Sequence, residues 1–163
     1  MSNQLLFSVK LFSVLGCGLV AGMFFAFSTF VMLALGQRPP SEGIAVMQAI
    51  NVTVINPWFM IAFLGTAATC LFLAATSLFQ WQQPGSIYLL VGSLLYLVGT
   101  LLVTIGFNVP MNDALAIVEP HNPDAADLWS RYLTNWTFWN HIRTAAALAA
   151  TASLTLAFRV TQL

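Results

Sequence analysis

Four long apolar stretches divide this sequence, and their lengths limit what it can fold into. Residues 5–35 form the first, broken only by Lys10, and the others cover 57–79, 86–107 and roughly 136–158. A helix needs ~20 residues to cross the ~30 Å hydrocarbon layer of a bilayer, and every stretch reaches that length. Lipid offers the backbone no hydrogen bonds, so each stretch must satisfy its own polar groups as a helix. Charged residues make up only 6% of the chain, against about 25% in an ordinary soluble domain. That scarcity excludes a soluble enzyme, a disordered tail and a nucleic-acid binder, which needs clustered Lys and Arg for phosphates. The first stretch is too long for the apolar region of a signal peptide and has no basic lead. Cys17 and Cys70 both lie in apolar stretches, so no disulfide framework is indicated. The expected fold is all-α: an integral membrane four-helix bundle, one domain over 1–163, with short helical segments in its two long connectors.

Punctuation sharpens the borders. Asn56-Pro57 reads as an N-cap followed by proline at the first helical position. Pro84-Gly85-Ser86 breaks the chain between the second and third stretches, with Ser86 as the expected cap. Asn122-Pro123 repeats the cap-then-proline signal, so the last helix should start near residue 123 and project beyond the bilayer. Pro110 should end the third helix in a bend carrying Asn108 and Asn112. Gly18-x-x-x-Gly22 reads as a close-packing motif.

Four crossings put both termini and the 80–85 turn on one side, and the connectors 36–56 and 108–135 on the other. All five acids, Glu42, Asp113, Glu119, Asp124 and Asp127, lie in or beside those connectors. Lys10 and Arg159 mark one side, Arg38 and Arg131 the other, so the positive-inside rule is balanced. The expected location is the inner (cytoplasmic) membrane of a bacterium, with a lean towards cytoplasmic termini; self-association into a homo-oligomer stays open. An internal echo, Asn51-x-Thr53-x-x-Asn56 and Asn135-x-Thr137-x-x-Asn140, suggests two related hairpins or a coincidence of short polar patterns.

Polar residues in lipid should turn towards other helices or a cavity. At ~100° per residue, Trp129, Tyr132, Trp136, Asn140, Arg143 and Ala147 share one face of the last helix, while His141 points away from Arg143. Ser93, Tyr96, Thr100 and Thr104 form a second stripe, with Asn108 at its edge. Arg143 is the charge that lands in polar company at depth, and Asn56, Asn108, Asn112 and Asn140 should lie at a similar level. Blander readings stay open: Arg143 snorkelling to an interface, the asparagines capping helix ends, and the residues 129–139 as an interfacial aromatic belt. Two histidines without ligand spacing give no metal or haem signature, so neither a metal nor another cofactor is expected.

Gln48-Ala-Ile-Asn51 and Asn56-Pro57 before the second stretch, Asn108-x-Pro110-x-Asn112 after the third, and a Trp-rich lead into Asn140-x-x-Arg143 are a recognisable combination. It resembles the anthrone oxygenase-like family of small membrane proteins, over essentially the whole chain. The resemblance implies a four-helix membrane fold and O₂-dependent oxidation of an anthrone to an anthraquinone without a recognised cofactor. Such chemistry needs an apolar slot, donors for a developing oxyanion, and a base or an acidified ring hydroxyl. On that reading Arg143 stabilises an enolate, Asn140 and Asn108 orient it, and Asn112 is a further donor. No base is in place: the candidate His141 is on the wrong face unless a neighbouring helix brings substrate to it, and His121 would need its connector to fold back. Trp136, Trp129, Tyr132, Tyr96, Thr104, Asn51 and Asn56 would line the slot for a lipophilic substrate. Two other classes fit the same residues: a non-enzymatic membrane protein that binds or transports a hydrophobic or anionic small molecule, and a structural accessory subunit.

Overall fold

The structure of the chain, a computed structural model, describes residues 3–122 and 124–160. Every regular element among these is helical: α1 (Gln4–Gly36), α2 (Pro40–Thr53), α3 (Pro57–Phe79), α4 (Ser86–Ala116) and α5 (Ala125–Val160). Helices α1, α3 and α4 are each long and apolar enough to cross a membrane. Helix α5 is the longest, at 36 residues, but less apolar because its first half is rich in polar side chains. Each long helix packs on its neighbours in sequence, and α5 closes the square against α1. This is an up-and-down bundle in which α3 and α4 are joined by the short 80–85 turn. Helix α2 lies across one end, against α5 and the last turns of α4.

Two buried clusters hold the bundle. One fills its body with Cys17, Val20, Phe24, Phe63, Cys70, Leu73, Tyr96 and Leu154. The other lies under α2 and gathers Met32, Leu35, Ile44, Met47, Leu115, Trp129, Tyr132 and Trp136. Many large apolar side chains, Leu15, Leu19, Phe30, Leu71 and Phe79 among them, point outwards and are exposed. Soluble bundles hide such residues; here the outward face suits lipid as well as the inward one.

The helix borders match the sequence signals in part. Asn56 caps α3 by accepting a hydrogen bond from Phe59 N at 3.1 Å, with Pro57 behind it. The cap of α4 is Gly85 rather than Ser86, because its φ of 86° is a left-handed value suited to glycine. The Ser86 hydroxyl instead donates to Gln80 O at 2.7 Å and ties the turn together. Asn122 Oδ1 accepts from Asp124 N at 3.0 Å just before α5 begins; Pro123, the second half of that signal, lies outside the described residues.

Two expectations need correction, and one open reading narrows. Helix α4 does not bend out of helix at Pro110 but continues to Ala116. The turn before the proline is widened into π-helix over Thr104–Asn108, a geometry in which the ladder is already shifted and the missing N–H and the ring are accommodated. The Asn-x-Thr-x-x-Asn echo has no common local structure. Its first copy ends α2 and caps α3, whereas its second lies inside the unbroken α5. Gly22 likewise faces open space, and a Cβ on Gly18 would make only ordinary contact with Thr151.

The close approaches are at other glycines. A Cβ on Gly92 would lie 2.8 Å from Leu154 Cγ and 3.1 Å from the Ala150 carbonyl oxygen, and one on Gly16 would collide with Thr66. Small residues at such crossings let helix backbones approach where lipid supplies no hydrophobic drive. Gly92→Ala should therefore lower stability by about 1–3 kcal/mol, the cost of overpacking. Gly22→Ala should leave it unchanged or raise it by up to about 1 kcal/mol through helix propensity. Thermal unfolding of both variants in the same detergent measures the contrast.

Candidate functional site

Between the bundle body and the roof formed by α2 lies a cavity of about 310 Å³, near the lower end of the ~300–1,000 Å³ typical of ligand pockets. Its walls are almost wholly apolar: Phe24 and Phe27 from α1, Met47 and Ile50 from α2, Phe59 and Phe63 from α3, Leu101 from α4 and Trp136 from α5. Only Asn51, Thr104, Asn112 and Arg143, besides the Trp136 ring nitrogen, bring side-chain polar atoms to it.

Arg143 is 4% exposed. Its Nη2 donates to Asn140 Oδ1 at 2.7 Å and its Nη1 to Thr104 Oγ1 at 3.2 Å, while Nε has no partner. The guanidinium lies over the Phe24 ring at 4.2 Å and near the Trp136 ring at 5.0 Å, which offers it two π faces. No carboxylate joins it: all five acids are exposed, and the ion pair among the described residues is Arg38–Glu42 at the surface. A cation held in an apolar wall by neutral donors and rings is short of negative charge.

Asn140 sits behind Arg143 and fixes it. Its Nδ2 donates to Phe24 O at 2.7 Å and to Ser28 Oγ at 2.8 Å, so the amide spans from α1 to the guanidinium. Asn112 Oδ1 accepts both Tyr132 OH and Trp136 Nε1, each at 2.8 Å. These bonds lock the edge of Trp136, whose ring continues a stack with Tyr132 and Trp129 at centroid spacings of 6.0 and 5.6 Å. The stack carries the site up into the roof, where Gln48 Nε2 donates to Leu115 O and Val118 O at 2.9 Å each.

The helices surrounding the cavity are locally unwound. π-Helical turns occur at Phe27–Val31 in α1, Ile61–Gly65 in α3, and Leu97–Leu102 and Thr104–Asn108 in α4. Such turns are rare and gather at functional sites. Two carbonyls at or beside them receive donors from across the bundle: Phe24 O from Asn140, and Phe63 O from Tyr96 OH at 3.0 Å.

The sequence-derived residues thus separate into groups. Arg143, Thr104, Trp136, Asn112 and Asn51 meet at the cavity, and Asn51 Nδ2 is buried there without a partner. Asn140 supports them from behind. Asn108 is buried and donates to Trp136 O at 3.2 Å, so it braces α4 against α5 rather than facing the cavity. Trp129 and Tyr132 belong to the roof, and Tyr96 to the bundle body. Asn56 is a cap, and His141 is exposed outside the cavity. Sequence reasoning missed Phe24, Phe27 and Phe63, and it expected a helical segment in the 36–56 connector without seeing that its Met47 and Ile50 line a cavity. The aromatic run Phe24-Phe25-x-Phe27 was a visible signal, but a helix that is apolar all round does not reveal its inward face. Among the described residues, no three His, Cys, Asp or Glu side chains converge in the manner of a metal site.

A family model described as anthrone oxygenase matches residues 56–153, well over half of the chain. The chain belongs to the anthrone oxygenase family. The match takes in α3, α4 and most of α5, and with them Thr104, Asn112, Trp136, Asn140 and Arg143. Helices α1 and α2, which contribute Phe24 and the roof to this family member, lie outside it. Comparisons with curated proteins and with solved structures gave no significant match.

Replacing Asn140 by Leu removes the oxygen that Arg143 Nη2 uses and both of the amide's bonds to α1. Leaving a buried charged group short of a partner costs about 2–3 kcal/mol or more. Asn140→Leu should lower the thermal midpoint in detergent far more than His141→Leu, which should leave it nearly unchanged.

Proposed function

We propose that this protein is a multi-pass membrane oxidoreductase that oxygenates a flat, lipophilic aromatic of the anthrone type with O₂, without a cofactor. All four long helices cross the bilayer in this reading, with α5 overhanging it and the roof lying at the interface. The observation that carries the proposal is Arg143: a buried guanidinium, short of negative charge, in the wall of an apolar cavity. An aromatic enolate complements that wall, with rings among Phe24, Phe27, Phe63 and Trp136 and its oxyanion beside the Arg143 guanidinium.

Among the described residues, no carboxylate or imidazole lines the cavity. The ionisation therefore rests on the substrate, whose enol tautomer is an acidic phenol, and on Arg143, which favours the anion over the neutral form. The anion is electron-rich enough to pass an electron to O₂. Recombination at the ring methylene carbon then forms a C–O bond and, on protonation, a hydroperoxide. Loss of water breaks the O–O bond and a C–H bond and leaves a carbonyl. The methylene becomes a carbonyl, and one O₂ yields one carbonyl oxygen and one water. Asn112 and Thr104 position the site, and the expelled water around it strengthens the charge interaction.

The same lack of a base in the wall favours one other reading, a protein that binds such an anion without turning it over. O₂ uptake by purified protein supplied with an anthrone separates the two. Under the oxygenase reading Arg143→Ala should lose roughly 10²–10³ in kcat/KM, the loss typical of removing an oxyanion-stabilising group. Arg143→Lys keeps the charge but not the planar fork and should fall between. Equal turnover by all three proteins would remove Arg143 from the reaction, and binding without any O₂ uptake would leave only the ligand-holding role.

A further inference from the structure

Helices α3 and α4 are joined by the short 80–85 turn and pack closely beside it, but they diverge towards the roof. The cavity lies in the fork between them. Four of its lining residues are themselves exposed, and they sit on the two prongs: Ile55 (70%) and Leu64 (46%) at the α3 prong, Ile105 (56%) and Val109 (40%) on the α4 prong. All four are apolar, so the mouth has no polar rim.

The mouth has a definite depth. Counted at 1.5 Å per residue from the 80–85 turn, Leu64 lies about 22 Å along α3 and Ile105 about 29 Å along α4. With ~30 Å of hydrocarbon beginning at that turn, the fork opens inside the lipid and ends at its far border. The other routes are filled. The roof core of Met47, Leu115, Trp129 and Tyr132 covers the aqueous end, and α1 and α5 pack against each other at the back.

We propose that the cavity is loaded sideways from the bilayer through the α3–α4 fork, so that its ligands are molecules already dissolved in the hydrocarbon, with a flat or chain-like apolar body and one acidic oxygen. This rests on the reading of the cavity as the ligand site and of the long helices as membrane-crossing. The apolar body slides between Leu64 and Ile105, and the acidic oxygen meets Arg143 at the far wall. O₂, which also concentrates in hydrocarbon, takes the same path.

Thiol labelling in lipid nanodiscs, which expose both membrane faces, tests the route without any turnover. With Cys17 and Cys70 replaced by Ala, Leu101→Cys puts a thiol on the cavity wall and Gln82→Cys puts one in the exposed turn. The apolar reagent N-phenylmaleimide should label Leu101→Cys. A sulfonate-bearing methanethiosulfonate should label it at least about tenfold more slowly than Gln82→Cys, because a fixed charge is excluded from hydrocarbon. Adding Ile105→Trp at the mouth should slow labelling by the apolar reagent several-fold and leave Gln82→Cys labelling unchanged. Fast sulfonate labelling of Leu101→Cys would show a mouth open to water and overturn the proposal. So would labelling by neither reagent, or indifference to Ile105→Trp. If these rates hold while no anthrone is oxidised, the oxygenase reading fails and the lipid route stands.

Discussion

A guanidinium cannot be left bare away from water, and much of this molecule is arranged around that fact. Arg143 is solvated by its own helix and by pieces of two other long helices, α1 and α4, at once. Asn140 holds it from behind while anchored to Phe24 O and Ser28 on α1, Thr104 accepts from it on α4, and the Phe24 and Trp136 rings cover it. Every one of these partners is neutral. The arrangement keeps the cation in place without cancelling its charge, which leaves the charge free to act on whatever enters the cavity.

The wide turns follow from the same constraint. A regular α-helix uses all its interior carbonyls in its own ladder. Loosening α1, α3 and α4 at a common level displaces side chains sideways and presents backbone oxygens at Phe24 and Phe63 to donors from other helices. Cavity, wide turns and polar network lie together in the bundle. Gly92 and Gly16 have the opposite role further along the bundle, where the absence of a Cβ lets neighbouring helices close up and hold the walls together.

Much of this was legible in the residues. The all-α class, three helices long and apolar enough to cross a membrane, and most borders follow from the lengths of the apolar stretches and from cap signals such as Asn56-Pro57. The shared face of Trp129, Tyr132, Trp136, Asn140, Arg143 and Ala147 follows from a 100° step, and all six are buried. What was hidden has physical reasons. A helix with lipid on one side and protein on the other is apolar on both, so α1 gave no sign that Phe24 faces inwards. Pro110 reads as a break in sequence because the rule for it assumes regular helix upstream, whereas π geometry at Thr104–Asn108 changes what the proline meets. Asn108 and Asn112 look equivalent in sequence, yet one braces a backbone on α5 and the other reaches the cavity wall.

Helix α5 is the one long helix among the described residues that carries no π turn. It also bears both ends of the site, from Trp129 in the roof to Arg143 in the wall. An unbroken helix has a fixed rise and a fixed angle per residue, so this segment behaves as a ruler of about 21 Å. One residue more or less within it would swing the aromatic stack by ~100° away from the guanidinium. The connectors can change length without touching that alignment. The interval between Trp129 and Arg143 is where the chain's length itself sets the geometry of the cavity wall and its roof.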